Sequence, residues 1–246
     1  PKTIMPILNT FFYIILPYLA LFIFLLGTIY RYRNVKFQIS SLSSEFLEGK
    51  KLFWGSVPFH WGMLFLFFGH LTAFLIPRSV LLWNSHPVRL LVLEVAAFAF
   101  GLSMLVGLIN LIYRRWTQDR IRVVTSWMDH VVEILLVTQV FLGLWVALEY
   151  RWGSSWFASS LTPYLRSIFL LEPRMDAVVA MPLVIRLHII GAYLIVMLFP
   201  FSRLMHALVA PLDYIWRPYQ RVIWNWNKNK VRNPSNGWSV YRPKNN

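Results

Sequence analysis

No cysteine occurs in the 246 residues. Disulfides, iron–sulfur clusters, zinc–thiolate sites and thioether-bound c-type haem are therefore excluded within the chain, and any redox group it holds must use other ligands. Charge is also scarce. Asp, Glu, Lys and Arg make up 14% of the sequence, against about 25% in a soluble domain. Negative charge is scarcest, with 10 Asp and Glu against 24 Lys and Arg. Low-complexity runs and internal repeats are lacking too. What fills the chain instead is apolar: 57% hydrophobic residues, 17% of all residues aromatic, 12 of them Trp. A soluble protein of this size could not bury so much apolar surface, and disorder fails on the same composition.

The apolar residues fall into five stretches, each near the roughly 20 residues that a helix needs to cross a bilayer core of about 30 Å. They run from about Leu8 to Tyr30, Phe53 to Ile76, Val88 to Tyr113, Trp127 to Glu149 and Met181 to Val209. The runs are continuous rather than alternating, which argues against a β-barrel. The expected fold is all-α, an integral membrane bundle of five helices. Pro17 and Pro200 fall inside spans, where neighbours can satisfy the freed carbonyls. The first stretch is too long for the apolar part of a cleavable signal peptide and lacks a small-residue cleavage site, so it is expected to remain as a span.

Lys and Arg set the orientation. Seventeen of the 24 fall on the side that carries the C-terminus, including Arg114, Arg115, Arg120, Arg122 and the tail cations. The N-terminus is expected outside and the C-terminus in the cytoplasm, in a cell inner membrane. This bias accounts for most of the net charge of +14, and with no soluble domain to carry it, nucleic-acid binding is a poor explanation. Residues 1–226 are expected to form the five-span domain and 227–246 a basic cytoplasmic tail. Lys36 to Lys51 reads as a short amphipathic helix at the membrane interface. Trp216 to Asn246 reads as an interfacial segment or as a strap on a soluble partner.

Ionisable groups inside spans are costly and mark function. His60 and His70 lie on the second span, His188 and His206 on the fifth. The two spans run antiparallel, so depth pairs His60 with His206 and His70 with His188. Two imidazoles from two helices are the usual axial ligands of a b-type haem. Residues 188 and 206 are five whole helical turns apart and share a face, whereas 60 and 70 are about 80° off one. The rises differ too, about 27 Å against about 15 Å. Packing histidines are the plain alternative, and a metal-transport site is the other. The latter would want carboxylates beside the histidines, but Glu94, Asp129 and Glu133 lie on other helices. Arg186 and Arg203 precede His188 and His206 closely enough to serve haem propionates. Gly62, Gly69 and Gly191 leave room either for a flat ring or for helix contact.

The runs Pro58-Phe59-His60-Trp61-Gly62, Phe68-Gly69-His70, Arg186-Leu187-His188 and Phe199-Pro200-Phe201-Ser202-Arg203-Leu204-Met205-His206 resemble the second and fifth spans of the gamma subunit of respiratory nitrate reductase. Pro17-Tyr18 and residues 27–32 are similar to its first span. The resemblance implies two haem b groups, with His70 and His188 on the outer iron and His60 and His206 on the inner one. It further implies a quinol site by the outer haem near Gly69, where Arg89 stands in place of the family's lysine. Arg89 keeps the charge but is forked and bulkier.

A family member of this kind takes electrons from the quinone pool near the outer face. It passes them to an iron–sulfur beta subunit and a molybdenum-containing alpha subunit on the cytoplasmic side. The chain is then a quinol-oxidising electron-transfer subunit of an oxidoreductase, without a terminal catalytic site of its own. Open alternatives are a cytochrome b subunit of a sulfite-reduction-associated, heterodisulfide reductase or nitrite oxidoreductase complex, and a haem-free anchor or transporter. Glu94 reads as a proton-path group or as a carboxylate paired with a nearby cation.

Overall fold

The computed structural model describes residues 4–35, 39, 43–45, 47–210, 212 and 216–218. All regular structure among them is helical. The chain divides into a helical unit, Pro1–Val209, and a second unit, Ala210–Asn246. Almost all of the second unit lies outside the described residues, and with it the expected tail. Five helices are long and apolar enough to cross a membrane: Met5–Val35, Lys50–Leu75, Pro87–Thr117, Trp127–Glu149 and Leu183–Phe201. Large apolar side chains such as Phe22, Val92, Ile134 and Leu148 are exposed on their outer faces, as expected of helices whose solvent is lipid.

Prolines shape three of the five spans, and each frees a carbonyl. Pro17 cannot donate to Tyr13 four residues back. The helix loosens there into a π-helical turn, Phe11–Ile15, and the Tyr13 carbonyl accepts the Tyr164 hydroxyl at 2.9 Å. Pro58 frees the Trp54 carbonyl, which takes the Asn110 amide of span three at 3.3 Å. Pro200 has the largest effect. The α-helix of span five ends at Leu198, a 3-10 turn covers Phe199–Phe201, and Ser202 is extended at φ −116°. Arg31 of span one holds the opened carbonyls of Pro200 and Ser202, at 2.8 and 3.3 Å. A separate 3-10 segment, Arg203–Val209, follows.

Spans two and three pack most closely, through small residues. A Cβ at Gly62 would stand 2.5 Å from the Phe100 carbonyl, and one at Gly55 2.8 Å from Leu111. Span four packs on spans three and five, and span one on span five. Spans two and five make little backbone contact with each other.

Between spans four and five the chain forms a helical segment that the apolar-run reading leaves as loop. It comprises Gly153–Trp156, a π-helical turn at Phe157–Leu161, and Thr162–Phe169. It closes the end of span two: Thr162 donates to the Ala73 carbonyl at 3.2 Å, and Arg166 to the carbonyls of Phe74 and Leu75 at 2.8 and 2.9 Å. Its apolar face joins Tyr13, Val146, Val178, Ile185 and Ile189 in the main core.

The stretch expected as an interfacial helix is a turn where it is described. Residues 39, 43–45 and 47–49 are not helical, Lys50 and Lys51 are the first residues of the second span's own helix, and the rest of the stretch lies outside the described residues. Buried Arg114 of span three explains the turn. It bonds Glu48 Oε2 at 2.7 Å, the Glu48 carbonyl at 2.6 Å, and the Ser44 hydroxyl and carbonyl at 2.9 and 3.1 Å. A cation buried in this setting takes every acceptor in reach, and backbone carbonyls are among them.

Candidate haem-ligand site

Span two presents His60 half-buried and His70 exposed. His188 sits in span five, whereas His206 lies beyond the break, on the 3-10 segment. The five-turn relation between 188 and 206 therefore does not hold, because the chain leaves the α-helix at Leu198, and the straight-helix rise between them does not apply. The break still brings His206 to His60: the ring centroids are 6.1 Å apart at 68°. Among the described residues no hydrogen bond or ring contact joins His70 to His188: His70 faces Phe157 and His188 faces Gln139.

Three of the rings share one arrangement. His60 Nδ1 is 2.7 Å from the Ser56 carbonyl, His70 Nδ1 2.7 Å from the Leu66 carbonyl, and His206 Nδ1 2.6 Å from the Arg203 carbonyl. A carbonyl only accepts, so each Nδ1 is the donor, and in the neutral ring Nε2 is then the nitrogen with the lone pair. That is the tautomer a metal ligand needs, held as metal-bound histidines usually are held. His188 differs. Its Nδ1 is buried without a partner, and its neighbours come from span four. Gln139 Nε2 donates to the His188 carbonyl at 3.0 Å and lies 3.4 Å from the ring Nε2. A Cβ at Gly143 would stand 3.0 Å from the ring.

The His60 and His206 rings, which meet from two elements with centroids 6.1 Å apart, have the chemistry and spacing that would suit an iron porphyrin between them. His70 and His188, on spans two and five, offer the same donor type. The helices that carry the histidines are not packed shut against each other. Among the described residues no group of three or more His, Asp or Glu has metal-site geometry, so a bare ion finds no comparable cage there.

The remaining site candidates separate. Gly62 is a contact point with span three, Gly191 gives space to the Gln139 side chain, and Gly69 faces open space. Arg89 is exposed and stacks over Trp83 at 4.9 Å. Among the described residues no hydrogen bond, ion pair or ring contact ties it to His70. Arg186 bonds Asn9 at 2.6 Å and the Tyr13 hydroxyl at 3.0 Å. Arg203 bonds both oxygens of Asp129, at 2.7 and 2.9 Å. Glu94 accepts from the Ser154 N–H and hydroxyl at 2.9 and 2.6 Å, so it caps the inter-span helix, and among the described residues no ion pair with a cation is seen. Sequence reasoning missed Gln139 and Gly143. Their one signal was a polar amide and a glycine four residues apart within an apolar span.

The family model described as nitrate reductase gamma subunit matches residues 9–225. The chain is similar to the nitrate reductase gamma chain of Bacillus subtilis, 36% identical over 210 residues, covering 83% of this chain and 93% of that one. It is similar also to the respiratory nitrate reductase 2 gamma chain of Escherichia coli, 33% identical over 221 residues, covering 87% and 96%. The corresponding gamma chain 1 is 32% identical over 226 residues, covering 89% and 98%.

Proposed function

Since this chain belongs to the nitrate reductase gamma subunit family, we propose that it is the multi-pass membrane subunit that oxidises quinol and hands electrons to the soluble subunits of a nitrate reductase. It does not reduce nitrate itself. His60 and His206 hold an inner b-type haem, and His70 and His188 an outer one. Two such haems, when bound, supply one-electron carriage across the membrane.

The chain's own residues do the rest. Backbone carbonyls at Ser56, Leu66 and Arg203 hold the Nδ1 donors and fix the ring directions, so Nε2 is the nitrogen each ring turns to a ligand role. Quinol binds by the outer pair, near His70, Gly69 and Arg89, and releases its protons outside. Open space beside Gly69 and the exposure of His70 and Arg89 support access from the lipid and the outer surface. Arg186 and Arg203 share the propionates with their protein partners. The N-terminus faces outside and the C-terminus faces the cytoplasm, where an iron–sulfur beta subunit and a molybdenum-containing alpha subunit dock. Carrying electrons inward against the membrane potential costs about 2.3 kcal/mol per charge per 100 mV, so the redox drop to the acceptor must exceed it.

The observation that carries this reading is the meeting of the His60 and His206 rings from two separate elements, each with its Nδ1 held by a backbone carbonyl. A reduced-minus-oxidised spectrum of the purified complex, with haem counted per chain, tests it. Two b-type haems per chain are expected, and absence of b-type absorbance would sink the reading. Mass identification of co-purifying subunits tests the partner assignment.

A further inference from the structure

Span four carries none of the four histidines, yet it touches what holds two of them. At its first turn Asp129 grips Arg203 at two points, Nε to Oδ1 at 2.7 Å and Nη2 to Oδ2 at 2.9 Å. Arg203 Nη2 also donates to the Val124 carbonyl at 2.8 Å. The backbone carbonyl of this same arginine accepts the His206 Nδ1 proton. Ten residues along span four, Gln139 donates to the His188 carbonyl, and four further on Gly143 leaves space for the His188 ring. Given the two-haem reading, we propose that span four is the positioning helix of the site: Asp129, acting through Arg203, orients His206, and Gln139 with Gly143 orients His188.

His206 and His188 need such help, and His60 and His70 do not. The latter two sit inside an unbroken α-helix and bond their own helix four residues back. His206 lies on a seven-residue 3-10 segment after an extended residue. Segments of that kind have poor hydrogen-bond geometry and seldom run past three or four residues unaided. Its direction is therefore set by whatever fixes Arg203. Asp129 is a stiff anchor. It is buried, it exchanges bonds with Ser126 in a capping box at 2.8 and 3.3 Å, and it pairs with Arg115 at 3.2 Å. A two-point carboxylate–guanidinium contact adds direction to strength. His188, for its part, lacks the Nδ1 carbonyl that the other three rings use. Only span four offers its ring side a polar group and a fitted gap among the described contacts.

The two anchors are about 15 Å apart on one rigid helix. Positioning therefore predicts effects that separate by haem, which general loss of packing would not produce. The test uses the full chain with its partner subunits in native membranes, carrying Asp129→Asn or Gln139→Leu. Haem is counted, each ferric haem is followed by its low-spin paramagnetic resonance signal, and both are titrated by potential. Asp129→Asn should change the inner haem alone, by loss or by a new signal with about a tenfold shift in its oxidised-to-reduced ratio at fixed potential. That shift is ~59 mV for a one-electron couple. Gln139→Leu should change the outer haem alone. If Asp129→Asn does not accumulate, Arg203→Lys breaks the same two-point contact and should give the same result. Gly143→Ala serves likewise for the outer site. Unchanged haems in these variants, or both haems moving together, would overturn the proposal. A native chain without b-type haem would instead overturn the two-haem reading beneath it.

Discussion

The imidazoles divide into three held by their own backbone and one held by a neighbour. A carbonyl partner on Nδ1 makes that nitrogen the donor and leaves Nε2 as the atom each ring would offer to iron. Replacing any one of His60, His70, His188 or His206 with Ala should leave one haem per chain. His60→Ala and His206→Ala should lose the same haem, and His70→Ala and His188→Ala the other, as read by spectra and haem extraction. Two haems retained in any of the four would undo the pairing. Glu48 offers a pH test outside the spans. Burial is the largest single influence on its carboxyl and acts to raise its pKa from the ordinary 4.5. The Lys51 N–H, the Arg114 guanidinium and the Leu52 N–H together outweigh burial and lower it. A lowered folded value means that the contribution is present above the unfolded value and is lost as pH falls through the folded one. Thermal stability of native chain and Glu48→Gln should therefore differ at neutral pH and converge only below about pH 4.5. A gap that stays constant down to acid pH would show that the Glu48 charge contributes nothing.

At the scale of elements, broken helices matter as much as whole ones. Every in-span proline frees a carbonyl, and the structure brings a partner to two of the three from a distant part of the chain: Tyr164 for Pro17 and Asn110 for Pro58. At Pro200 the break is wider, and Arg31 caps the carbonyls it opens. Tyr164 also accepts from the Tyr193 hydroxyl at 3.2 Å. Tyr164→Phe should cost about 1–3 kcal/mol, since it orphans a buried carbonyl, and the midpoint of thermal unfolding in detergent would report it. A wild-type midpoint would mean that the Tyr13 carbonyl finds another donor. The inter-span segment 153–169 was legible in part: Ala158, Leu161, Leu165 and Ile168 recur at helical spacing. A reading tuned to twenty-residue apolar runs passes over a 17-residue amphipathic piece that caps a neighbour.

For the molecule as a whole, the absence of cysteine turns sidedness into a clean experiment. Ser85→Cys, between spans two and three, and Thr117→Cys, at the far end of span three, each introduce one thiol at an exposed position. A membrane-impermeant maleimide should label the first in intact spheroplasts and the second only after lysis. The reverse pattern would invert the chain, and with it the side on which quinol and soluble partners act.

Composition and run length alone determined five spans, their order and the four histidines, because lipid demands long uninterrupted apolar helices and penalises any ionisable group without a purpose. Those constraints are local and can be read one residue at a time. The path of the chain after Leu198 was not local. Pro200 announces a weakness, but only Arg31 from the first span and Asp129 from the fourth decide how far the backbone opens and where His206 points. Gln139 and Gly143 are equally silent in the sequence, since an amide and a missing side chain acquire meaning only when a ring from another helix lies against them.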